Sequence, residues 1–383
     1  MAGGDGARIG DYFADLEDPR IDRTKLYRLE DIIVIAICAV ISGAETWNDI
    51  EDWGRLKESW LSTFMELPNS IPSHDTFGRV FSLLDPKQFQ KCFVSWVQAA
   101  YAVTGGQVVA IDGKTVRRSQ DRVNGKAAIH MVSAWAAESR LVLAQTKVDE
   151  KSNEITAIPE LLDVLDLAGC IVTLDAMGCQ TEVARKIREQ RADYVLTVKQ
   201  NQEHMYEDIK ELFDIEFDQP TPFEGVMHDY TQTINKDHGR IEIRRCWTIS
   251  DPEFLNYIRK RQDWAGLQSI AIVIAERRLG DITTTESRYY ISSLPGDANS
   301  LLHATRSHWG IENSVHWVLD VAFHEDDCRM RKDNSPHNFT ILRHIALNLI
   351  RQERTSKRGV KGKRLKAAWS DDYLKTVISG LLI

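Results

Sequence analysis

The sequence VVAIDGK occupies residues 108–114, and a second apolar run, CIVTLDAMG, occupies residues 170–178. Runs of this length and composition predict buried β-strands, each of which ends at an aspartate. A carboxylate at the end of such a strand is carried to the edge of the sheet, where it can be hydrated or can bind a metal ion. Taken singly, Asp112 or Asp175 could instead be a helix N-cap or a turn former.

The segments on either side of these two runs predict a mixed α/β core. The order of elements is β-β-β-α-β-α-β, which favours the first part of an RNase-H-like mixed sheet, over residues 106–200, rather than a doubly wound sheet. The predicted strands are residues 108–111, 127–135, 141–148, 170–174 and 194–198, and the predicted helices are residues 155–167 and 181–190.

Residues 1–105 predict an all-helical N-terminal domain. Four helices are expected: one through the apolar run 32–41, one carrying tryptophans at near-helical spacing from Trp47, one opening after residues 72–75, and one after Asp85. Asp85 is a good N-cap, and the proline after it suits the first helical position. Short helices with tight turns fit a helix-turn-helix DNA-binding bundle and fit a purely structural helical domain equally well.

Beyond residue 200 the pattern changes twice. Residues 201–286 begin with a helix (203–213) and continue into polar sequence with strand-like pieces, which predicts a β-rich insertion into the core. Residues 287–353 return to the core, with an apolar strand and two helices at 300–322 and 336–353. Residues 354–383 are expected to form a basic C-terminal tail.

Composition excludes several classes of protein. A chain of 383 residues with 43% hydrophobic and 27% charged residues predicts a globular protein of two or three domains. The six cysteines are scattered without ligand spacing, so neither a zinc module nor a disulfide framework is expected. The longest apolar run, residues 32–41, is shorter than the roughly 20 residues of a membrane span, and no signal peptide is recognisable. A cytoplasmic location is predicted.

The formal net charge is −8, but nucleic acid responds to local patches rather than to the total charge. Basic residues concentrate in RQERTSKRGVKGKRLK at residues 351–366 and in KTVRRSQDRVNGK at residues 114–126. Either run could be a solvated surface segment. Both are compatible with DNA binding.

A third acidic residue, Glu312, lies in RSHWGIENSVHWVLD at residues 306–320, which predicts an amphipathic helix with an aromatic inner face. Glu312 could face solvent or pair with Arg306. Two strand-end aspartates and one helical glutamate are nevertheless the oxygen ligands that two-metal phosphoryl transfer needs, with Mg²⁺ or Mn²⁺ ions about 3.5–4 Å apart.

Two other candidates carry less weight. The run HEDD at residues 324–327 contains metal-ligating side chains, but adjacent residues cannot all face one ion, and we expect Asp326 to orient Arg329 or Arg331 instead. His130 lies on a predicted strand and is expected to be a core residue.

Nearly the whole chain resembles the DDE insertion-sequence transposases of the H-repeat-associated type. Several of the matching segments are long and specific. They are DYFADLEDPR (11–20), IPSHDTFGRVFSLLDP (71–86), AIDGKTVRRS (110–119), VTLDAMGCQ (172–180), LTVKQNQ (196–202), RSHWGIENSVHWVLDVAFHEDDCRMR (306–331) and NFTILRHIALNLIR (338–351).

The resemblance implies a DNA transposase that cuts at its element ends and joins them to target DNA. The DDE triad carries over to Asp112, Asp175 and Glu312, which are expected to bind two Mg²⁺ or Mn²⁺ ions on an RNase-H-like core. The implied partners are the terminal inverted repeats and target DNA, bound by a homodimer. The helical N-terminal domain is the candidate reader of the repeats.

The chain departs from the wider superfamily around the third acid. The signature Tyr-x2-Arg-x3-Glu-x6-Lys is replaced by Thr305, His308, Glu312 and Leu319, so only the glutamate is retained. The arginine and lysine roles and a DNA-hairpin step are therefore not carried over. A nuclease that cuts without insertion and a catalytically silent DNA-binding regulator remain as alternatives. The candidates for phosphate contact are Lys114, Arg117, Arg118, Lys199, Arg306, Asn313 and Arg331.

Overall fold

The computed structural model describes residues 12–100, 106–120, 127–148, 153–237 and 239–379. A single mixed sheet of nine strands runs through this part of the chain, with strand order β3-β2-β1-β4-β5-β9-β8-β7-β6. The strands are β1 (Val108–Thr115), β2 (His130–Ala136), β3 (Leu141–Val148), β4 (Ile171–Leu174), β5 (Asp193–Val198), β6 (His228–Asp237), β7 (Arg240–Ile249), β8 (Ser269–Leu279) and β9 (Ile282–Ser292).

The centre of the sheet is parallel and its flanks are antiparallel. Strand β1 pairs in parallel with β4, and β4 pairs in parallel with β5. Strand β2 is antiparallel to both β1 and β3, so the two strands predicted at residues 127–135 and 141–148 form a hairpin. Strand β1 is fully buried over its first four residues and then emerges from the core, as its sequence predicts.

The strands after β5 extend the same sheet. Strand β9 pairs antiparallel with β5, and β8, β7 and β6 follow outward as antiparallel neighbours. Strand β6 was not predicted, because its polar sequence HDYTQTINKD lies at the edge of the sheet, where burial does not select apolar residues. The outer halves of β8 and β9 form an exposed hairpin.

Helices cover the sheet and precede it. Helix α9 (Ala298–Ile311) continues without a break through a π-helical turn, Glu312–His316, into helix α10 (Trp317–Phe323). The helices are α1 (Leu29–Ile41), α2 (Trp47–Leu61), α3 (His74–Leu83), α4 (Pro86–Ala100), α5 (Glu154–Asp163), α6 (Thr181–Glu189), α7 (Glu203–Phe217), α8 (Pro252–Asn256), α9 (Ala298–Ile311), α10 (Trp317–Phe323), α11 (Ser335–Gln352), α12 (Val360–Trp369) and α13 (Asp371–Val377). None of the described helices is both long enough and apolar enough to cross a bilayer.

Helix α11 joins the N-terminal helices to the sheet. It is buried from Ser335 through Ile350 and packs against α1, α3 and α4 on one side and against β3 on the other. The starts of two N-terminal helices are fixed by their own sequence. Thr46 forms a capping box with Asp49 at α2, and the hydroxyl of Ser73 accepts from the backbone N–H of Thr76 at α3.

The basic segment near the C-terminus is largely helical. Helices α12 and α13 pack against α11. Lys363 and Arg364 are buried, and their side chains donate to main-chain carbonyls of Ile350, Val40 and other residues. These two cations therefore stabilise the fold and are not available to a phosphate. Residues 121–126 of the other basic run lie outside the described residues.

Candidate active site

The strand register places the two predicted aspartates side by side. Ile111 of β1 pairs with Leu174 of β4, and Asp112 and Asp175 are the residues that follow this pair. Glu312 is the first residue of the π-helical turn. All three side chains line one cleft of about 210 Å³ at the ends of the parallel strands.

Burial and mutual repulsion disfavour the charged forms of the aspartates. Burial raises the pKa of Asp112 to about 7, and the neighbouring carboxylates of Asp175, Glu154 and Glu312 add to the rise, although the backbone N–H of Gly113 opposes it. Burial also raises the pKa of Asp175. The cleft thus concentrates negative charge beyond what the protein compensates, which is the electrostatic condition for binding a cation.

The π-helical turn carries Glu312 and aims a histidine at Asp112. Single π turns inside α-helices occur frequently at functional sites. Nδ1 of His316, the last residue of this turn, lies 3.5 Å from Oδ2 of Asp112. Burial lowers the pKa of His316 to about 4, so its imidazole is neutral near pH 7 and does not cancel the charge of the aspartate.

A fourth carboxylate, Glu154, lies beside the three predicted ones, and the sequence analysis did not identify it. It is the first residue of α5, and its Oε1 is 2.5 Å from Nε2 of His130 on β2. A Cβ atom at Gly113 would come within 2.2 Å of this Oε1, so the glycine is what lets the pair approach β1. His130, predicted as a core residue, is partly exposed and belongs to this pair instead.

Two further residues of the cleft were missed. The guanidinium of Arg288 on β9 lies 4.2 Å from the ring centre of Trp309, and both residues line the cleft. Trp309 was identified only as part of an aromatic helix face. Arg288 belongs to an apolar strand segment, and nothing in its spacing marks it as a site residue.

His308 stands where the superfamily signature has arginine. Its Nδ1 lies 3.0 Å from the hydroxyl of Thr173 on β4. Burial lowers the pKa of His308 to about 4, so this position supplies a neutral imidazole near pH 7 and not a cation.

The predicted phosphate-contact residues are dispersed. Lys199, directly after β5, lines the cleft. The guanidinium of Arg306 lies 3.0 Å from the side-chain amide of Asn235 on β6, and Arg306 does not line the cleft. Asn313 donates to the carbonyl oxygen of Trp309 and lines a different cavity, beside α12.

Lys114 is enclosed by acidic side chains. Its Nζ lies 2.7 Å from Asp320, 3.0 Å from Glu325 and 3.3 Å from Asp326, and only 12% of its side chain is exposed. The structure therefore places Lys114 in an internal ion-pair cluster and not at a surface that a phosphate can reach.

Arg117 and Arg118 lie at the outer side of the same cluster. Arg117 contacts Asp326 at 3.3 Å, and Arg118 contacts Asp327 at 3.1 Å. Asp326 therefore pairs with the segment after β1, and the expectation that it orients Arg329 or Arg331 is wrong. Arg331 is exposed, and its Nε donates to the carbonyl oxygen of Arg118.

The carboxylates of the cleft fit a hard divalent cation by chemistry. Within the described residues, no three His, Cys, Asp or Glu side chains converge closely enough to surround one ion. A two-metal site distributes its ligands over ions about 3.5–4 Å apart, so its carboxylates are spread more widely than those of a single-ion cage. Three oxygen-only ligands around a cleft are the donor set that Mg²⁺ or Mn²⁺ prefers.

Comparison with known proteins gives the family. The family described as "Transposase DDE domain" matches residues 104–349, and the family described as "DDE_Tnp_1-associated" matches residues 10–97. The chain is 41% identical over 374 residues to "Putative transposase YncI" of Escherichia coli O157:H7, covering 96% of this chain and 94% of that protein. It is 41% identical over 361 residues to "H repeat-associated putative transposase YhhI" of Escherichia coli K12, covering 92% of this chain and 93% of that one.

Among solved structures, a piggyBac transposase synaptic complex with hairpin DNA aligns with 98% of this chain and 80% of its own chain, at 12% identity and a TM-score of 0.36. The family matches and the two relatives establish that the chain belongs to the DDE transposase family. The family resemblance predicted from the sequence is thereby confirmed.

Proposed function

We propose that the chain is an active transposase that uses divalent metal ions to cut the phosphodiester at the ends of its element and to join the freed 3′-hydroxyl to target DNA. The observation that carries this proposal is the register of β1 against β4, which sets Asp112 beside Asp175 in the cleft that Glu312 also lines. The order 3-2-1-4-5 of the first five strands, with β2 antiparallel, supports an RNase-H-like core.

In this proposal Asp112 and Asp175 jointly hold one ion, and Glu312 completes the site of the second. When bound, the ions would polarise the attacking water in the cutting step and the freed 3′-hydroxyl in the joining step, and would stabilise the leaving oxygen in each. The raised pKa of Asp112 favours this role, because a cation is what returns a buried carboxyl to its charged form. His130 links Glu154 to the hydroxyl of Thr115 on β1, in the space that Gly113 leaves for the pair.

The remaining cleft residues position the substrate. Lys199 and Arg288 line the cleft and supply the cations for non-bridging phosphate oxygens. Trp309 is 45% exposed and stacked on Arg288, so its free face is available to a base of a strand end. The N-terminal helices are the candidate reader of the terminal repeats, and a homodimer bringing two ends together is the expected assembly.

The test is a cleavage and insertion assay on a donor plasmid that carries the inverted repeats flanking the coding region. Cuts at the repeat ends and insertion products are expected in Mg²⁺ or Mn²⁺. DNA binding without cleavage is expected in Ca²⁺, which accepts oxygen ligands at longer and looser distances. Cuts without insertion would identify a nuclease instead of a transposase. DNA binding without cuts in Mg²⁺ or Mn²⁺ would identify a catalytically silent regulator. Products formed in EDTA would rule out a metal-dependent mechanism.

A further inference from the structure

A basic groove separates the N-terminal helices from the segment that follows α10. It has a volume of about 750 Å³, and it is lined on one side by α2 and α3 and on the other by residues 324–332. We propose that this groove, here called the arginine groove after Arg79, Arg329, Arg331 and Lys332, binds the phosphate backbone of duplex DNA next to the bond being cut. The inference rests on the proposed function and adds a DNA-binding surface to it.

The cations of the groove are exposed, and most of their side chains have no ion-pair or hydrogen-bond partner among the described residues. The side chains of Arg79, Arg329 and Lys332 form no ion pair or hydrogen bond with any residue that the structure describes. The fourth, Arg331, donates only to a main-chain carbonyl of the described chain. Exposed arginines that do not stabilise the fold are free to bind an external anion, and the planar guanidinium matches a phosphate with two parallel hydrogen bonds.

The acids of the groove are each beside a positively charged or chargeable side chain. Glu45 lies 3.8 Å from His324, and Asp75 lies 3.6 Å from His74. Asp327 pairs with Arg118. His74 is already bonded to Glu51 at 2.6 Å, so Glu45 and Asp75 have no cation of their own within the described chain. Four cations, Arg79, Arg329, Arg331 and Lys332, stand against these two acids, and the balance is positive in a chain whose formal net charge is −8. Local patches of this kind, rather than the total charge, attract a polyanion.

The two sides of the groove are fixed to each other. The side chain of Asn334 donates to the carbonyl oxygen of Leu84 at 3.2 Å. The side chain of Asn338 donates to the carbonyl oxygens of Phe81 and Leu84 at 2.8 and 2.9 Å. These bonds tie the start of α11 to the end of α3, which carries Arg79. The spacing between Arg79 and the cations of residues 329–332 is thereby set before any ligand binds.

The distance from the cleft suits a duplex that spans both places. The segment that lines the groove begins where the helix carrying Glu312 ends, at Phe323. Eleven residues separate Glu312 from Phe323, and at an α-helical rise of about 1.5 Å each they span at most roughly 16 Å, since part of the stretch is the wider π-helical turn. Successive phosphates of a DNA strand rise about 3.4 Å, so a strand from a phosphodiester held at Glu312 reaches the start of the groove-lining segment within about five nucleotides. The ligand class is therefore duplex DNA flanking the scissile bond.

The test compares two triple variants of the full-length protein in Ca²⁺, where no cleavage is expected. One replaces Arg79, Arg329 and Lys332 with alanine. The control replaces three exposed lysines outside the groove, Lys87, Lys91 and Lys375. Binding is titrated by fluorescence anisotropy on a repeat-end duplex with flanking sequence and on a scrambled duplex, at several salt concentrations. The groove variant should lower the log–log salt slope by about 0.9 for each phosphate that it no longer neutralises, and equally on both duplexes.

A charge-keeping variant, Arg79→Lys with Arg329→Lys, should retain the salt slope and guards against weaker binding caused by misfolding. The inference is overturned if the groove variant binds like the wild type, if the control variant weakens binding as much, or if only repeat-specific binding disappears. In the first of these cases wild-type binding still stands, and so does the proposed function. A wild-type protein that binds no duplex at all would remove the proposed function itself.

Discussion

Two clusters of acidic side chains lie a few residues apart on the same elements, and they differ in how their charge is compensated. The cleft carboxylates are Asp112, Asp175 and Glu312. The Lys114 cluster comprises Lys114 and the three acids around it, which are Asp320, Glu325 and Asp326. Strand β1 contributes to both clusters, and the helix that carries Glu312 also carries Asp320.

The Lys114 cluster is neutralised within the protein. Burial alone would lower the pKa of Lys114, but Glu325 and Asp320 outweigh it and the pKa is raised. Glu325, with 1% of its side chain exposed, also faces Arg343 at 3.6 Å. Burial raises the pKa of Asp320 in this cluster as well, but Lys114 opposes that rise. In the cleft, burial raises the pKa of Asp112 to about 7, and the rise is opposed by a backbone N–H and not by a cation.

The difference separates a structural role from a functional one. Buried acidic residues that have cations within the chain offset the cost of their burial, so that losing the cation is what destabilises the fold. Buried acids left uncompensated cost stability and are candidates for binding a cation from outside. The two clusters also act together. The contact between Lys114 and Asp320 ties the strand of Asp112 to the helix of Glu312, so the neutralised cluster sets the spacing of the uncompensated one.

The largest expected effect is on catalysis. Asp175→Asn is nearly isosteric but removes an anionic metal ligand. Mutating a residue that only hydrogen-bonds to a metal ligand costs up to about 100-fold in activity, so losing the ligand itself should lower the rate of cleavage in Mg²⁺ by more than that. Asp326→Asn in the Lys114 cluster is the matched control and should stay within about fivefold, or about 1 kcal/mol. Equal losses from the two variants, measured on a repeat-end duplex, would erase the distinction between the clusters.

Removing the cation of the neutralised cluster should destabilise the fold. Lys114→Met leaves the buried carboxylate of Glu325 without its nearest cation, and breaking a buried pair in this way costs about 3–5 kcal/mol. The measurement is the free energy of unfolding in denaturant, or the melting temperature. The double variant with Glu325→Gln should recover part of the loss. A Lys114→Met protein as stable as the wild type would mean that the cluster contributes nothing to the fold.

In the cleft, removing a charged side chain should raise the free energy of unfolding instead of lowering it. The pKa of Asp112 in the folded chain, about 7, lies above its ordinary value of 3.8, so folding takes up a proton between these pH values. Stability from this group is present at low pH and is lost as the pH rises through about 7. Asp112→Asn removes that loss and should stabilise the metal-free protein at pH 8 by up to about 4 kcal/mol, since one pKa unit is about 1.36 kcal/mol.

The check is thermal unfolding of wild type and variant in EDTA at pH 5 and pH 8. The gain should be largest at pH 8 and fall to about 1.6 kcal/mol at pH 5, where the folded carboxyl is protonated while that of the unfolded chain is already ionised. Excess Mg²⁺ should stabilise the wild type and not the variant, since a bound ligand stabilises the folded state. A variant less stable than the wild type at pH 8 in EDTA would show that Asp112 is not an uncompensated charge.

Local sequence was enough for most of the helices and strands, edge strand β6 excepted, and for the family. The apolar runs before Asp112 and Asp175 predicted β1 and β4, and the cap at Asp85 marked the start of α4. The preceding helix, α3, was predicted to open after residues 72–75 and begins at His74, within that stretch. These features are encoded within a few residues of where they act, so a pattern of burial or capping reveals them. The assignment of the catalytic triad stays a prediction that the variants above can test.

Long-range pairing was beyond the reach of local patterns. Lys114 meets Asp320 across 206 residues of sequence, and the spacing between them carries no signal. Glu154 comes near Asp112 and Asp175 because helix α5 begins there. Arg288 lines the cleft because β9 pairs with β5. Both depend on tertiary packing. The HEDD run looked like a metal site in sequence because its partners, Lys114 and Arg343, lie in other elements.

The smallest expected effect is on an exposed ion pair. It tests whether the contribution of the Lys114 cluster to stability comes from its burial or from charge pairing itself. Arg118 and Asp327 form an ion pair at the outer side of that cluster, with 51% and 63% of their side chains exposed. Exposed pairs contribute about 0–1 kcal/mol because water screens them and side-chain entropy opposes them. Arg118→Gln should therefore change the free energy of unfolding by less than about 1 kcal/mol, and raising the salt concentration should shrink even that difference. Both variants, Arg118→Gln and Lys114→Met, would be unfolded side by side at low and high salt. If Arg118→Gln costs as much as Lys114→Met, exposure does not separate the two pairs, and the strength attributed to the inner cluster has another source.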